Sequence, residues 1–311
     1  MRRRTLVTGA SGFVGRQTLG PLVAAGVEVH AVGRRRPPNQ LADIHWHDVD
    51  LLDQAARRAL IRSVRPQVVL HLAWETRHDL FWTAPSNRNW AAATLDLLRE
   101  ASEAGAERFV GIGTCVEYAD GATACDENAS PLAPLTLYGI CKDACRRAAQ
   151  EFTATQCMSF AWARLFLLYG PGEGLGRLLP SVARQLLSGE TAPITSGLAV
   201  RDFMDVRDAG AALAALTLSD VCGAVNVASG RATSVREVVE TLARLAQCPE
   251  LVRIGALPDR DEPARLVASV TRLCDEVGYR HVRPLETGLL QLLDYWRSQM
   301  PGKPLQTATM Q

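Results

Sequence analysis

None of the eight cysteines (115, 125, 141, 145, 157, 222, 248 and 274) stands in a CxxC pair. Cys141 and Cys145, four apart on an expected helix, lack His or paired Cys ligands nearby, so no metal site is expected and the thiols read as reduced. No apolar run approaches the length of a bilayer span, and the opening segment enters a strand without an apolar signal region. A cytoplasmic chain with no membrane partner is therefore expected. Net charge is nearly absent: 34 basic against 33 acidic residues leave +1, which gives no global field for gathering nucleic acid or an anionic surface. No internal repeat is evident. What remains is ordinary for a soluble globular protein, with 47% hydrophobic and 22% charged residues in a chain of 311, enough for one large core or two lobes.

Short β-rich runs alternate with helical patterns from the start, the signature of βαβ units around a parallel sheet. Strands are expected at 5–8, 27–32, 44–47, 67–72, 108–113 and 159–166, and helices near 14–25, 53–63, 88–104 and 136–156. Val68-Val69-Leu70 lacks polar alternation, as a strand covered on both faces should. Gly20-Pro21 falls inside the first helix, where proline removes a hydrogen bond and a kink is expected. After about residue 170 glycine and proline punctuate the chain and the elements shorten. Ser234 with Glu237 forms a capping box ahead of a helix over 235–245. The tail 299–311 is polar and aperiodic, and is expected to be disordered.

The first strand leads into Gly9-Ala10-Ser11-Gly12-Phe13-Val14-Gly15 and then a helix. Glycines there allow a tight turn, close approach of backbone to a pyrophosphate, and packing of the helix on the strand. The second strand ends in Gly33-Arg34-Arg35-Arg36 with no acid. A carboxylate at that place binds the ribose 2′-hydroxyl of NAD, whereas arginine offers bidentate hydrogen bonds to the 2′-phosphate of NADP. NADP is favoured and NAD remains possible, with Arg34 the leading contact, Arg35 a second, and Arg36 read as solvated.

Tyr138-Gly139-Ile140-Cys141-Lys142 sets a tyrosine and a lysine four apart on one helix face. Thr114 lies four residues before Tyr118 at the end of the fifth strand, and Asp50-Leu51 follows the third. Arg164-Leu165-Phe166-Leu167-Leu168-Tyr169-Gly170-Pro171-Gly172, Arg201-Asp202-Phe203-Met204-Asp205-Val206 and Val225-Asn226-Val227-Ala228-Ser229-Gly230 come later, in that order. Together these resemble the extended short-chain dehydrogenase/reductase superfamily, in its nucleotide-sugar epimerase/dehydratase/reductase branch, over nearly the full length to about residue 298. The resemblance implies an α/β fold, a Rossmann doubly wound parallel sheet with a smaller C-terminal lobe. Residues 1–168, with 201–229 returning, would form the dinucleotide-binding domain, and 169–200 and 230–298 the substrate lobe. It implies cofactor contacts at Gly9, Ser11, Gly12, Phe13, Val14, Gly15, Asp50, Leu51, Leu72 and Ala73, and at Tyr138 and Lys142. Tyr138 would exchange the proton on the sugar oxygen, Lys142 would make that phenol more acidic and hold the nicotinamide ribose, and Thr114 would orient the substrate oxygen.

The same resemblance implies a nucleoside-diphosphate sugar substrate touched by Thr114, Cys115, Arg177, Arg201 and Arg260, and a homodimer formed through the helices near 88–104 and 136–156. Trp74, Phe81 and Trp82 could wall the sugar site, while His71 is read as structural. Departures narrow the reaction. Cys115-Val116 stands where sugar dehydratases carry Asp-Glu, Glu117 is displaced by one and is expected to point away, Leu167 replaces an Asn usual in epimerases, and Trp90 replaces another at the helix start. The favoured reaction is NADPH-dependent 4-ketoreduction of a nucleoside-diphosphate 4-keto-6-deoxy sugar. An epimerase that recycles a tightly bound dinucleotide is the alternative, and a non-catalytic dinucleotide sensor the third reading.

Overall fold

The apolar runs pair side by side. This computed structural model describes residues 2–33, 43–77, 80–121 and 124–300. Six strands follow the expected order: β1 (Arg4–Thr8), β2 (Glu28–Val32), β3 (Ile44–His47), β4 (Val68–His71), β5 (Arg108–Thr114) and β6 (Ser159–Leu165). After them come β7 (Leu167–Tyr169), β8 (Ala192–Pro193), β9 (Val200–Asp205), β10 (Gly223–Val227), β11 (Ala232–Ser234), β12 (Val252–Arg253) and β13 (Arg265–Leu266). Seven strands form one sheet in the order β10-β6-β5-β4-β1-β2-β3, every neighbour parallel. Each residue of β4 and β5 is buried, which is why those stretches carry no polar alternation.

Helices cover both faces. α1 (Gly15–Ala24) and α6 (Val206–Leu218) pack Leu19, Leu22, Leu213 and Leu216 on one side. On the other, α2 (Gln54–Val64), α3 (Ser86–Glu103) and α4 (Leu137–Ala154) bring Leu60, Ile61, Leu97, Leu98 and Ala149. The strand order reverses between β1 and β4, opening a crevice at their carboxyl ends, where doubly wound sheets bind ligands. A second core lies among α5 (Leu178–Ser188), α7 (Val235–Leu245) and α8 (Leu285–Gln299). Beside it β11, β9 and β13 form a small sheet that β7 joins through β9. The Ser234 hydroxyl accepts the Glu237 N–H at 3.1 Å, as a cap should. Among the described residues no helix is long and apolar enough to cross a membrane.

α1 runs from Gly15 to Ala24 with Pro21 inside it, so the proline expected to kink the helix does not end it. Proline at position 21 leaves the Gln17 carbonyl without its helical donor. That carbonyl faces the backbone of α6, because a Cβ at Gly210 would stand 2.5 Å from it. The lost bond is a single one near the helix end, and α6 covers the exposed oxygen by close approach. Gly210→Ala should therefore push the helices apart and lower stability by about 1–3 kcal/mol, the usual cost of overpacking. A lower urea midpoint checks this; an unchanged midpoint would mean that α1 and α6 have slack.

Candidate active site

Backbone contacts shape the crevice floor. Gly9 leaves β1 with φ +66°, and a Cβ there would lie 2.7 Å from the Ala73 nitrogen. At Gly15 a Cβ would lie 2.2 Å from the Gly9 oxygen, so the turn closes only with glycine at both places. Ser11 and Gly12 are exposed above it. Val14 occupies the N-cap of α1 and has no side-chain oxygen; the Arg16 and Gln17 N–H groups donate to the Gly12 and Val14 carbonyls, and among the described residues the Gly15 N–H has no acceptor and is available to an anion. These residues fit a dinucleotide pyrophosphate. Thr8 and His71 brace the turn from beneath. Thr94 donates to the Trp90 carbonyl at 2.8 Å, so it accepts from His71 Nε2 at 2.9 Å, and His71 Nδ1 accepts from Thr8 at 2.7 Å. Burial takes His71 down to about 3, so this ring is neutral and structural, as read from its strand.

The other expected cofactor residues line the same side. Leu72 and Ala73 abut Gly9, and Phe13 lies 5.8 Å below the Arg16 guanidinium, which donates to the Pro171 carbonyl. Asp50 is exposed and accepts the Leu52 N–H at 3.0 Å. Leu51 is buried, and its carbonyl accepts from Arg57 at 2.8 Å. Arg34 and Arg35 lie outside the described residues, as do Arg36, His78 and 301–311 of the tail.

Thr114, Tyr138 and Lys142 meet where β5 ends and α4 begins. Thr136 caps α4 by accepting the Gly139 N–H at 3.1 Å, and the Tyr138 N–H donates to the Trp82 carbonyl at 3.1 Å. The Tyr138 ring is held edge-on by Phe81 at 5.0 Å, Trp82 at 6.0 Å and Trp74 at 6.3 Å. The aromatic segment therefore packs on the tyrosine itself. Lys142 is buried; its ammonium donates to the Ile112 carbonyl at 2.8 Å and stands 3.7 Å from the Trp74 ring centre. Thr114 closes a 3-10 turn (Cys115–Glu117) with a capping box, accepting from Val116 while Glu117 accepts the Thr114 N–H at 2.8 Å.

The electrostatics differ from expectation. Burial pushes the Tyr138 phenol above its ordinary range, helped by Glu117 and Cys115, while Thr114 and Arg177 pull it down. Lys142 lies 5.8 Å from the Tyr138 ring centre with its ammonium engaged elsewhere. Burial lowers it to about 8, against the pull of Cys145 and Glu117. The expectation that Lys142 acidifies the phenol is thus not met; burial and Glu117 favour the neutral, proton-donating phenol.

Glu117 points away from the crevice, as expected, but it is no idle residue. Wholly buried, it accepts from Trp162 Nε1 at 3.0 Å and Arg164 Nε at 2.8 Å as well as from Thr114. Arg164 also donates to the Tyr118 hydroxyl at 3.0 Å. Asn87, also wholly buried, accepts from Trp74 at 2.8 Å and donates to the Phe81 and Ala84 carbonyls, fixing the aromatic loop. Neither role is legible in the sequence: the Trp162 and Arg164 partners of Glu117 lie 45 and 47 residues on, and no motif marks Asn87. Of the expected substrate residues, Arg177 lies 5.2 Å from the Phe81 ring centre, and its charge reaches Tyr138. Arg201 is buried and paired with Glu262 at 3.1 Å, and its charge reaches Cys115, whose thiol burial pushes up to about 12. Arg260 is exposed, two residues before Glu262. Glu173 has a buried Oε2 with no hydrogen-bond partner among the described residues. Burial raises this carboxyl to about 8, against the pull of Arg177 and the Gly170 backbone.

The model of the NAD dependent epimerase/dehydratase family matches residues 5–228. GDP-6-deoxy-D-mannose reductase of Pseudomonas aeruginosa is 29% identical, over 96% of this chain and 99% of its own. dTDP-6-deoxy-L-talose 4-dehydrogenase (NAD(+)) of Aggregatibacter actinomycetemcomitans is 27% identical over 76% of this chain and 87% of its own. The UDP-glucuronic acid 4-epimerase of Bacillus cereus, solved with UDP-glucuronic acid and NAD, shares the fold: TM-score 0.84 at 19% identity, covering 96% of this chain and all of that one (100%).

Glu173 gives a pH signature. Its folded-state value near 8 lies above the ordinary 4.5, so the folded chain keeps a proton that the unfolded chain releases between those values. Stability should fall as pH rises through that window. Glu173→Gln removes this loss, so its Tm should gain on the native chain from about pH 5 to about pH 8. A constant Tm difference across that range would contradict the assignment.

Proposed function

Because the chain belongs to the NAD dependent epimerase/dehydratase family, we propose that it uses NADPH to reduce the 4-keto group of a nucleoside-diphosphate 4-keto-6-deoxy sugar. The observation that carries this reading is the convergence of Thr114, Tyr138 and Lys142 at the crevice whose floor is the Gly9–Gly15 turn. Relatives named as a 6-deoxy-sugar reductase and a 6-deoxy-sugar 4-dehydrogenase support redox chemistry at that carbon. The choice of NADPH rests on Arg34 and Arg35 at the end of the second strand. A cytoplasmic homodimer joined through α3 and α4 belongs to the same reading, supported by Ile140 of α4, which is 48% exposed.

The Gly9–Gly15 turn and the start of α1 would hold the pyrophosphate. When bound, the dinucleotide supplies the hydride that adds to the carbonyl carbon. Tyr138 gives its proton to the carbonyl oxygen as the new C–H bond forms, and the resulting phenolate is reprotonated from solvent. The raised pKa suits this direction, because a neutral phenol is the form that donates. Thr114 donates a hydrogen bond to the same oxygen and fixes its position. Lys142, its ammonium held by the Ile112 carbonyl beside Trp74, would hold the nicotinamide ribose. Arg177 and Arg201 would meet the diphosphate, with Arg201 leaving Glu262 to do so, and Cys115 and Arg260 complete the proposed contacts.

Tyr138→Phe should bind NADPH as the native chain does and lose turnover by about 10²–10⁴-fold, the usual worth of a positioned general acid. A variant with near native rate would refute the role. In a panel of nucleoside-diphosphate 4-keto sugars, NADPH should be oxidised in preference to NADH. Oxidation of neither would sink the reductase reading, and activity without added cofactor, with dinucleotide co-purifying, would replace it with the epimerase.

A further inference from the structure

A cluster of imidazoles at the sheet edge has no part in the chemistry above. β3 is the outermost strand of the large sheet, paired in parallel with β2 so that His30 stands opposite His45. Alternate strand residues share a face. Glu28-Val29-His30 on one strand and His45-Trp46-His47 on the other therefore put four donor side chains on a single surface. His30 Nε2 is 2.9 Å from Glu28 Oε1, and His30 Nδ1 is 3.0 Å from His47 Nε2. The His30 ring stacks between its neighbours, 4.8 Å from His45 and 5.3 Å from His47. One ligand atom from each of Glu28, His30 and His45 lies within 4.8 Å of the other two.

We propose that Glu28, His30 and His45 bind one zinc-class divalent ion, with His47 as the outer partner that orients His30. Two imidazole nitrogens and a carboxylate oxygen are a donor set suited to zinc, with bonds near 2.0–2.2 Å that bring ligand atoms to roughly 3.4 Å apart. The present separations close to that value by turning the His45 ring, which is exposed and turns into the plane an ion requires. The ion replaces the proton that His30 Nε2 now directs at Glu28. His30 Nδ1–H then donates to His47 Nε2, the kind of second hydrogen bond that fixes the tautomer of a ligating histidine. The carboxylate offsets part of the ion's charge, and the open side at the strand edge admits water as the fourth ligand. Such an ion staples β3 to β2 just before Gly33, whose N–H donates to the His47 carbonyl at 3.2 Å.

The test uses the untagged full chain stripped of metal. Co2+ titration should give the visible absorption of a tetrahedral site saturating at one ion per chain, Zn2+ should displace it, and Zn2+ should raise Tm. His45→Ala and Glu28→Gln should each weaken Co2+ binding by about tenfold or more. His281→Ala, at an exposed histidine elsewhere on the chain, should bind as the native chain does. Lack of saturable binding overturns the proposal. So does undiminished binding in both His45→Ala and Glu28→Gln, because the ion would then sit elsewhere. Turnover of the metal-free variants should match the native chain, which keeps this test separate from the redox reading.

Discussion

Gly15 lies so close to Gly9 that a methyl group there would sit 2.2 Å from the Gly9 oxygen, and Gly9 in turn abuts the Leu72–Ala73 backbone. This three-way approach of main chain to main chain joins β1, α1 and the end of β4 at the point where the strand order reverses. No side chain could be inserted without separating them. The Thr8–His71–Thr94 hydrogen bonds then hold the same junction from below. With the floor fixed in this way, α1 begins at the turn with the Gly15 N–H unspent among the described residues, and β5 delivers Thr114 to the rim of the same crevice.

The rim is held by buried charge. Glu117 and Arg164 form an ion pair whose side chains are 0% and 1% exposed, a costly arrangement unless every remaining valence is met. Trp162, the Thr114 N–H and the Tyr118 hydroxyl supply further partners for the pair. The pair thereby turns the end of β5 into a rigid mount for Thr114. Its negative end also works against deprotonation of Tyr138 and in favour of the Lys142 ammonium. A group with no place at the crevice surface thus biases the protonation of two groups that have one.

How much of this was legible depended on the distance over which each signal acts. The strands, the glycine turn and the four-residue spacing of Tyr138 and Lys142 are local patterns, and the sheet order and the grouping with Thr114 follow them. Partners distant in the chain were not legible. The Lys142 ammonium meets the Ile112 carbonyl and the face of Trp74, so its expected action on the phenol does not appear, and Glu117 finds Arg164 forty-seven residues on. Pro21 breaks a local rule, and the carbonyl it leaves without a helical donor lies against Gly210 of α6. The histidines illustrate the same limit: cysteine spacing carries no metal signal, and His30 and His45 become neighbours only through the β2–β3 register.

That register carries a further consequence for the cofactor end of the sheet. An edge strand is held from one side only, and β3 has just four residues against β2. The stacked rings of His30, His45 and His47 add contact across that pair on the face where the ladder alone is short. The β2 chain leaves this pair at Gly33, beside Ser11 of the glycine turn, and continues into Arg34 and Arg35. Whatever fixes β3 to β2 therefore also fixes the strand end that lies beside the glycine turn, and the stability of the sheet edge and the shape of the crevice floor are coupled there.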